Sequence, residues 1–201
     1  MRCLLCMKEM GKGNLKDVLF NEDIICEECR SGWCKKEISF MMDGVRVCSD
    51  YVYNEAFSSC LIQYKECYDK ALKDVFLYKV KKKLRHRYKG YTLCMMPSSK
   101  NKMEERGFSH LKEMFMCIGL PVLEPFEKKD DRDQKQKGFL ERMKMQNDIC
   151  LKKGMQLPQK IVLCDDTITT GATLKGALSA FDHASHNVEI YCVSANKGWL
   201  K

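Results

Sequence analysis

The stretch Ile161-Val162-Leu163-Cys164-Asp165-Asp166-Thr167-Ile168-Thr169-Thr170-Gly171-Ala172-Thr173-Leu174 carries the densest chemistry in the sequence. Its apolar start, after Pro158, suits a buried central strand. Leu174, Ala177, Leu178 and Phe181 then follow a helical stripe. In open α/β sheets, ligands bind at the carboxyl ends of the strands. Thr169, Thr170, Gly171, Ala172 and Thr173 offer hydroxyls and backbone N–H groups at a helix start, where the dipole favours a phosphate. Gly171 lets the backbone approach closely or take a positive φ. Asp165 and Asp166 stand just before this loop. Carboxylates there accept hydrogen bonds from the vicinal hydroxyls of a ribose, or support Mg²⁺. A phosphate cradle beside a diol-binding acidic pair describes a site for a ribose 5-phosphate. The simpler alternative is a helix capped by Thr170 or Thr173. Two adjacent carboxylates ending a buried strand repel one another, however, and need a reason to be there.

Thirteen cysteines make the second chemical signal. The N-terminal residues lack the apolar core of a signal peptide, so a reduced, cytoplasmic setting is expected. Cys3-Leu-Leu-Cys6 and Cys26-Glu-Glu-Cys29 form two CxxC pairs separated by nineteen residues. Two such turns complete a tetrahedral Zn²⁺ shell of four thiolates. No position remains for a catalytic water, so the expected zinc is structural. Gly11 and Gly13 suit the tight turn after the first pair, and Cys34 is a competing ligand. Cys60, Cys94, Cys117, Cys150, Cys164 and Cys192 occur singly among apolar residues and read as reduced core.

These groups must be positioned by the rest of 201 residues. A hydrophobic fraction of 45% with 31% charged residues excludes a disordered or collagen-like chain. No window approaches the roughly 18 apolar residues of a membrane span. The net charge of +8 favours acidic partners. Residues 1–40 read as a zinc-binding module and 41–201 as an α/β domain. A hairpin is expected within 41–63, and a helix over 64–89 from Tyr68, Leu72, Val75 and Phe76. That helix ends in Lys81, Lys82, Lys83, Arg85, Arg87 and Lys89, with Tyr78 and Tyr88 interleaved. Such a run neutralises phosphates and stacks bases of single-stranded DNA, or is simply a solvated helix face. From Tyr91 onward strands and helices alternate: strands at 91–96, 122–123, 161–164 and 188–193, helices at 108–118, 138–150 and 174–181. The polar stretch 127–137 is expected to be a loop. The alternation predicts a mainly parallel sheet.

The 165–173 segment resembles the phosphoribosyl-pyrophosphate (PRPP) motif of type I phosphoribosyltransferases. Combined with the double CxxC, it makes the chain similar to the ComF/ComFC competence family. Met96-Pro97-Ser98-Ser99, Arg106-Gly107-Phe108-Ser109 and the span from Gln134 to Arg142 fit the same family. Pro97-Ser98-Ser99 stands where the family has Pro-Val-Pro, and Ser109-His110 where it has Asn-Gln. The resemblance implies a type I phosphoribosyltransferase-like sheet with a small N-terminal zinc ribbon. It gives Asp165 and Asp166 the ribose hydroxyls and the Mg²⁺ of PRPP, as the catalytic pair. It gives residues 169–173 the 5-phosphate, and puts Ser98, Ser99, Lys100 and Arg106 beside the pyrophosphate. Lys135 and Arg142 would reach the substrate from a lid. The implied function is accessory to natural transformation: handling incoming single-stranded DNA beside the uptake machinery at the membrane, with a DNA-uptake helicase or recombination mediators as partners. An active phosphoribosyltransferase is the alternative, although no segment specifies a nitrogen-base acceptor. A PRPP-binding regulator is a third reading.

Overall fold

The computed structural model describes residues 1–10, 23–128 and 149–200. A hairpin forms, but over residues 34–52 rather than within 41–63, and the later part of the expected span, from Glu55, is helical. β1 (Cys34–Met42) turns at Asp43 and Gly44, both left-handed (φ 49° and 79°), and returns as β2 (Val45–Val52). One face of β1 stays in solvent, as suits an edge strand, whereas β2 is buried almost throughout.

Four further strands extend the sheet: β3 (Thr92–Met95), β4 (Val122–Leu123), β7 (Lys160–Ile168) and β8 (Asn187–Ala195). The order is β1-β2-β8-β7-β3-β4, and every pairing except β1 with β2 is parallel. This is the expected α/β class with a mostly parallel central sheet. β5 (Phe126–Lys128) and β6 (Ile149–Leu151) pair separately as a small antiparallel ribbon. Met95 lies opposite Cys164, and the Met96 amide donates to the Cys164 carbonyl at 3.0 Å. The loop leaving β3 is thereby held beside Asp165.

Six helices are described: α1 (Glu27–Ser31), α2 (Glu55–Lys65), α3 (Lys81–Arg87), α4 (Lys100–Arg106), α5 (His110–Phe115) and α6 (Ala172–Ser179). Asn54 caps α2 by accepting the Phe57 amide at 3.0 Å, and Phe57, Cys60, Leu61 and Tyr64 form its buried stripe.

The single helix expected over 64–89 does not form. α2 ends at Lys65, Tyr68 turns left-handed (φ 60°), and Asp69 caps a short 3₁₀ turn over residues 70–74. Leu72, Val75 and Phe76 are fully buried. Their spacing marked core positions spread over a turn and an irregular segment, which mimic a helical stripe. The helix expected at 138–150 and the loop at 127–137 fall mainly outside the described residues. Within them, 127–128 belong to β5 and 149–150 to β6. Lys135, Arg142, Gly11 and Gly13 also lie outside.

β1 runs through residue 40, where the sequence suggested a change of module. Trp33, 5% exposed, already packs between Tyr51, Phe57 and Phe76 at 5.4, 4.8 and 5.6 Å. The N-terminal segment is pinned to this core by a buried ion pair. Arg30 donates twice to Asp23 at 2.8 Å, donates to the Val75 carbonyl at 3.1 Å, and lies over the Trp33 ring. Lys79 adds a second cation at 3.6 Å. No described helix is long and apolar enough to cross a membrane.

Removing one member of a buried pair strands the other charge. Arg30→Met is therefore expected to cost about 3 kcal/mol in chemical denaturation. A loss below about 1 kcal/mol, the range of an exposed pair, would show that the pair does not anchor the N-terminal segment.

Candidate functional site

β7 continues beyond Cys164 to Ile168, so Asp165 and Asp166 lie within the strand rather than after it. A cleft of about 330 Å³ opens at the carboxyl ends of β3 and β7, lined by Lys65, Ser98, Arg106, His110, Asp165 and Asp166 among others. Ser99 and Thr173 also reach it. Next to it, residues 167–174 and Asp165 enclose a pocket of about 30 Å³. The acidic pair, the loop after β3 and the threonine loop therefore lie together at this end of the sheet.

The threonine loop is braced from behind. Gly171 is left-handed (φ 77°) and buried, and a β-carbon there would sit 3.0 Å from the Met42 sulfur. The positive φ favours glycine, and a side chain would also press on the Met42 sulfur. Trp199 Nε1 donates to the Thr169 carbonyl at 2.8 Å, while its ring stacks on Phe40 at 4.4 Å. Thr169 and Thr170 are exposed, and Ala172 and Thr173 are half-buried at the start of α6. The hydroxyls and amides of this loop thus face solvent on a fixed frame.

Asp166 is 6% exposed and holds two donors on one oxygen: Lys65 Nζ at 2.8 Å and His110 Nε2 at 2.9 Å. Burial opposes its ionisation, but Lys65 first and then His110 overcome that and hold the carboxyl far below its usual range. Arg106 Nη1 lies 2.9 Å from His110 Nδ1. A guanidinium can only donate, so His110 Nδ1 accepts and the ring proton sits on Nε2, donating to Asp166. Burial keeps this imidazole below its ordinary pKa, against the pull of Asp166 and aided by the Lys65 and Arg106 charges. Asp165 behaves oppositely. Burial, and then the Asp166 charge, push it up to about 7.

Arg106 is 6% exposed and donates to the Lys65 carbonyl at 2.8 Å as well as to His110. It lines the cleft, but its hydrogen bonds go to the protein. Ser98 Oγ lies 3.3 Å from His110 Nδ1, and Ser99 occupies the N-cap position of α4. Lys65 and His110 were not singled out by motif. His110 was visible only as a departure from Asn-Gln, and Lys65 follows an ordinary apolar stripe. Nothing local marks a lysine that meets a carboxylate 101 positions away.

Half of the carboxylate oxygens that magnesium would use are already engaged. Mg²⁺ wants near-octahedral oxygen at about 2.0–2.1 Å. One Asp166 oxygen is filled by two N–H donors, and one Asp165 oxygen accepts the Asp166 amide at 2.9 Å.

Cys3, Cys6, Cys26 and Cys29 do fit a metal. Their sulfurs all lie within 4.8 Å of one another, with Cys6 and Cys26 at 3.6 Å. Zn–S bonds of about 2.3 Å in a tetrahedron place sulfurs about 3.8 Å apart. The Cys26 amide donates to Cys3 Sγ at 3.2 Å, and Met7 supplies the left-handed turn (φ 59°). Burial resists ionisation of Cys3, yet the amides of Cys6, Cys26 and Leu5 bring its thiol down to about 6. This four-cysteine cluster can hold a metal ion such as zinc. Cys34 is exposed on β1 and lies outside it.

The basic run is partly consumed by the fold. Lys83 pairs with Glu37 and with the buried Asp50, Arg87 pairs with Glu189 at 3.3 Å, and Arg85 donates to the Ile118 carbonyl at 2.6 Å. Lys81 lies over the Tyr78 ring at 4.1 Å. Lys82 and Lys89 are exposed and have no ion-pair partner among the described residues. Tyr88 is 1% exposed, so its ring is core and cannot stack a base.

No family model matches the chain. It is 28% identical over 183 residues to the competence protein ComFC of Streptococcus pneumoniae, spanning 90% of this chain and 80% of that one. It is 27% identical over 152 residues to ComFC of Bacillus subtilis, spanning 75% of this chain and 62% of that one. The chain is a homologue of these ComFC proteins. Among solved structures it is similar to a hypoxanthine phosphoribosyltransferase from Staphylococcus aureus, with a TM-score of 0.41, 14% identity, and 63% and 64% of the two chains covered. A hypoxanthine phosphoribosyltransferase from Trypanosoma cruzi gives a TM-score of 0.42, 13% identity, and 64% and 69% coverage.

Cys26→Ser removes one of four thiolates and is expected to release the metal, as read by elemental analysis of purified protein. Full retention would remove Cys26 from the ligand set. Asp165 is raised from an unfolded value near 3.9, so the native state holds an extra proton between about pH 4 and 7. Wild-type stability should fall across that window, because the unfolded chain gives up this proton while the native state keeps it. Asp165→Asn, uncharged throughout, should gain stability over wild type between pH 5 and 8 in denaturant titrations. A constant difference over that range would contradict the assignment.

Proposed function

We propose that this chain is a ComFC-type competence protein whose sheet-end cleft binds a phosphoribosyl ligand. The observation that carries this reading is a cleft at the acidic pair adjoining a small pocket formed by the glycine-containing threonine loop, the two sharing Asp165 and Thr173. The groups present suit a ribose whose hydroxyls meet Asp165, with Asp166 fixing the frame behind it, and whose 5-phosphate meets residues 169–173. Ser98 and Ser99 border the anomeric side, where PRPP would carry its pyrophosphate. Asp165 and Asp166 are the residues on which any turnover would depend.

Zinc in the cysteine cluster gives the N-terminal segment, residues 1–40 at most, a fold its small apolar content does not supply. The α/β body follows it. Single-stranded DNA is assigned to the α3 face. The Lys83–Glu37 bridge ties α3 to β1, the strand that carries Lys35 and Lys36, and the exposed Lys82 and Lys89 are the cations of the α3 face left for phosphate. In this reading the protein works in the cytoplasm, beside the DNA-uptake machinery at the membrane, with a DNA-uptake helicase or recombination mediators as partners.

Titration calorimetry with ribose 5-phosphate and with PRPP tests the ligand. Wild type should bind, and the Asp165→Asn, Asp166→Asn double variant should lose at least ~100-fold, the equivalent of about 2.7 kcal/mol. Unchanged affinity would sink the ribose assignment. For DNA, Lys82→Glu with Lys89→Glu should lower the salt slope of single-strand binding by about 1.4, two phosphate contacts at about 0.7 each. An unchanged slope would take α3 out of the interface.

A further inference from the structure

Lys65 enters the cleft from α2, an element that precedes the parallel strands, and its side chain is 24% exposed. Its ammonium has three donors, of which Asp166 takes one. One of the two Asp166 side-chain oxygens is closed to another cation. Both lone pairs on one oxygen are used by Lys65 and His110, and the carboxylate is almost wholly buried. A divalent ion could gain that oxygen only by expelling Lys65, which would leave an ammonium without its partner in a largely buried place.

Resting on the phosphoribosyl reading above, we propose that Lys65 takes the place of a divalent cation in this cleft, so that the phosphoribosyl ligand binds without magnesium. A divalent ion in such a site serves two ends: it neutralises ligand phosphate and fixes the acidic pair. Both are supplied by the chain. Lys65, Lys102, Arg106 and Lys128 line the cleft against Asp165 and Asp166, which leaves a positive balance for an anion. Lys65 and His110 fix Asp166 directly, and Tyr64, the neighbour of Lys65, holds the His110 carbonyl at 2.7 Å. The end of α2 therefore both supplies Lys65 to the clamp and steadies its second member, His110 of α5. This balance suits a phosphorylated pentose presented as the free anion, with a carboxylate acceptor for its hydroxyls in place at Asp165.

The test uses the full zinc-loaded chain and PRPP, titrated in buffer freed of divalent ions by chelating resin, and again with millimolar Mg²⁺. The expected result is the same Kd in both. An affinity gain of about tenfold or more with Mg²⁺, about 1.4 kcal/mol, would overturn the proposal while leaving the phosphoribosyl site standing. An absence of binding in both buffers would overturn the phosphoribosyl reading itself. Lys65→Met supplies the second arm. Loss of a charge-assisted contact should weaken metal-free binding by about 10–100-fold. Wild-type affinity in Lys65→Met would also overturn the role given to Lys65. Should that variant fail to fold, the comparison of wild type with and without Mg²⁺ decides alone.

Discussion

A carboxylate at the end of a buried strand must be neutralised, and the way Asp166 is neutralised organises this molecule. An ionised carboxylate stripped of water is costly unless charge and hydrogen bonds replace the solvent. Lys65 of α2 and His110 of α5 supply them, and Arg106 of α4 orients the histidine. Helices that precede and follow β3 are thus tied to the tip of β7 by one group. The cost falls on Asp165, which is left beside a fixed negative charge without a cation of its own among its hydrogen bonds. That leaves Asp165 as the member of the pair open to a ligand, and Asp166 as the one that fixes the frame.

A second frame holds the phosphate loop. Phe40 and Met42 of the edge strand β1, with Trp199 from the end of the chain, wall the back of Gly171 and carry the Thr169 carbonyl. The same strand starts one residue after Trp33, which the Asp23–Arg30 pair joins to the cysteine cluster. The N-terminal segment and the ligand loop therefore share one structural support at the edge of the sheet. Lys83 and Glu37 tie α3 to that edge as well.

Much of this was legible in the sequence because the signals were local. Strand–acid–glycine–helix at 161–174 and the paired CxxC spacing each declare their geometry within a few residues. Alternating strands and helices after Tyr91 gave the parallel sheet. The helix expected over 64–89 was misread because Leu72, Val75 and Phe76 bury in a 3₁₀ turn and an irregular stretch with the spacing of a helical face. The basic run could not be divided in advance into Lys83 and Arg87, which the fold pairs, and Lys82 and Lys89, which it leaves outside. Nor could Arg106 be known as a brace. Its partners, the Lys65 carbonyl and the His110 ring, are set by tertiary contacts across the cleft.

The most direct test of the phosphoribosyl cleft is a crystal structure of the zinc-loaded protein with ribose 5-phosphate. The account predicts the phosphate against the amides and hydroxyls of residues 169–173, and the vicinal hydroxyls against Asp165, with Lys65 still bridged to Asp166. Sugar phosphate bound elsewhere, or an Asp165 that makes no contact with the ribose, would contradict it.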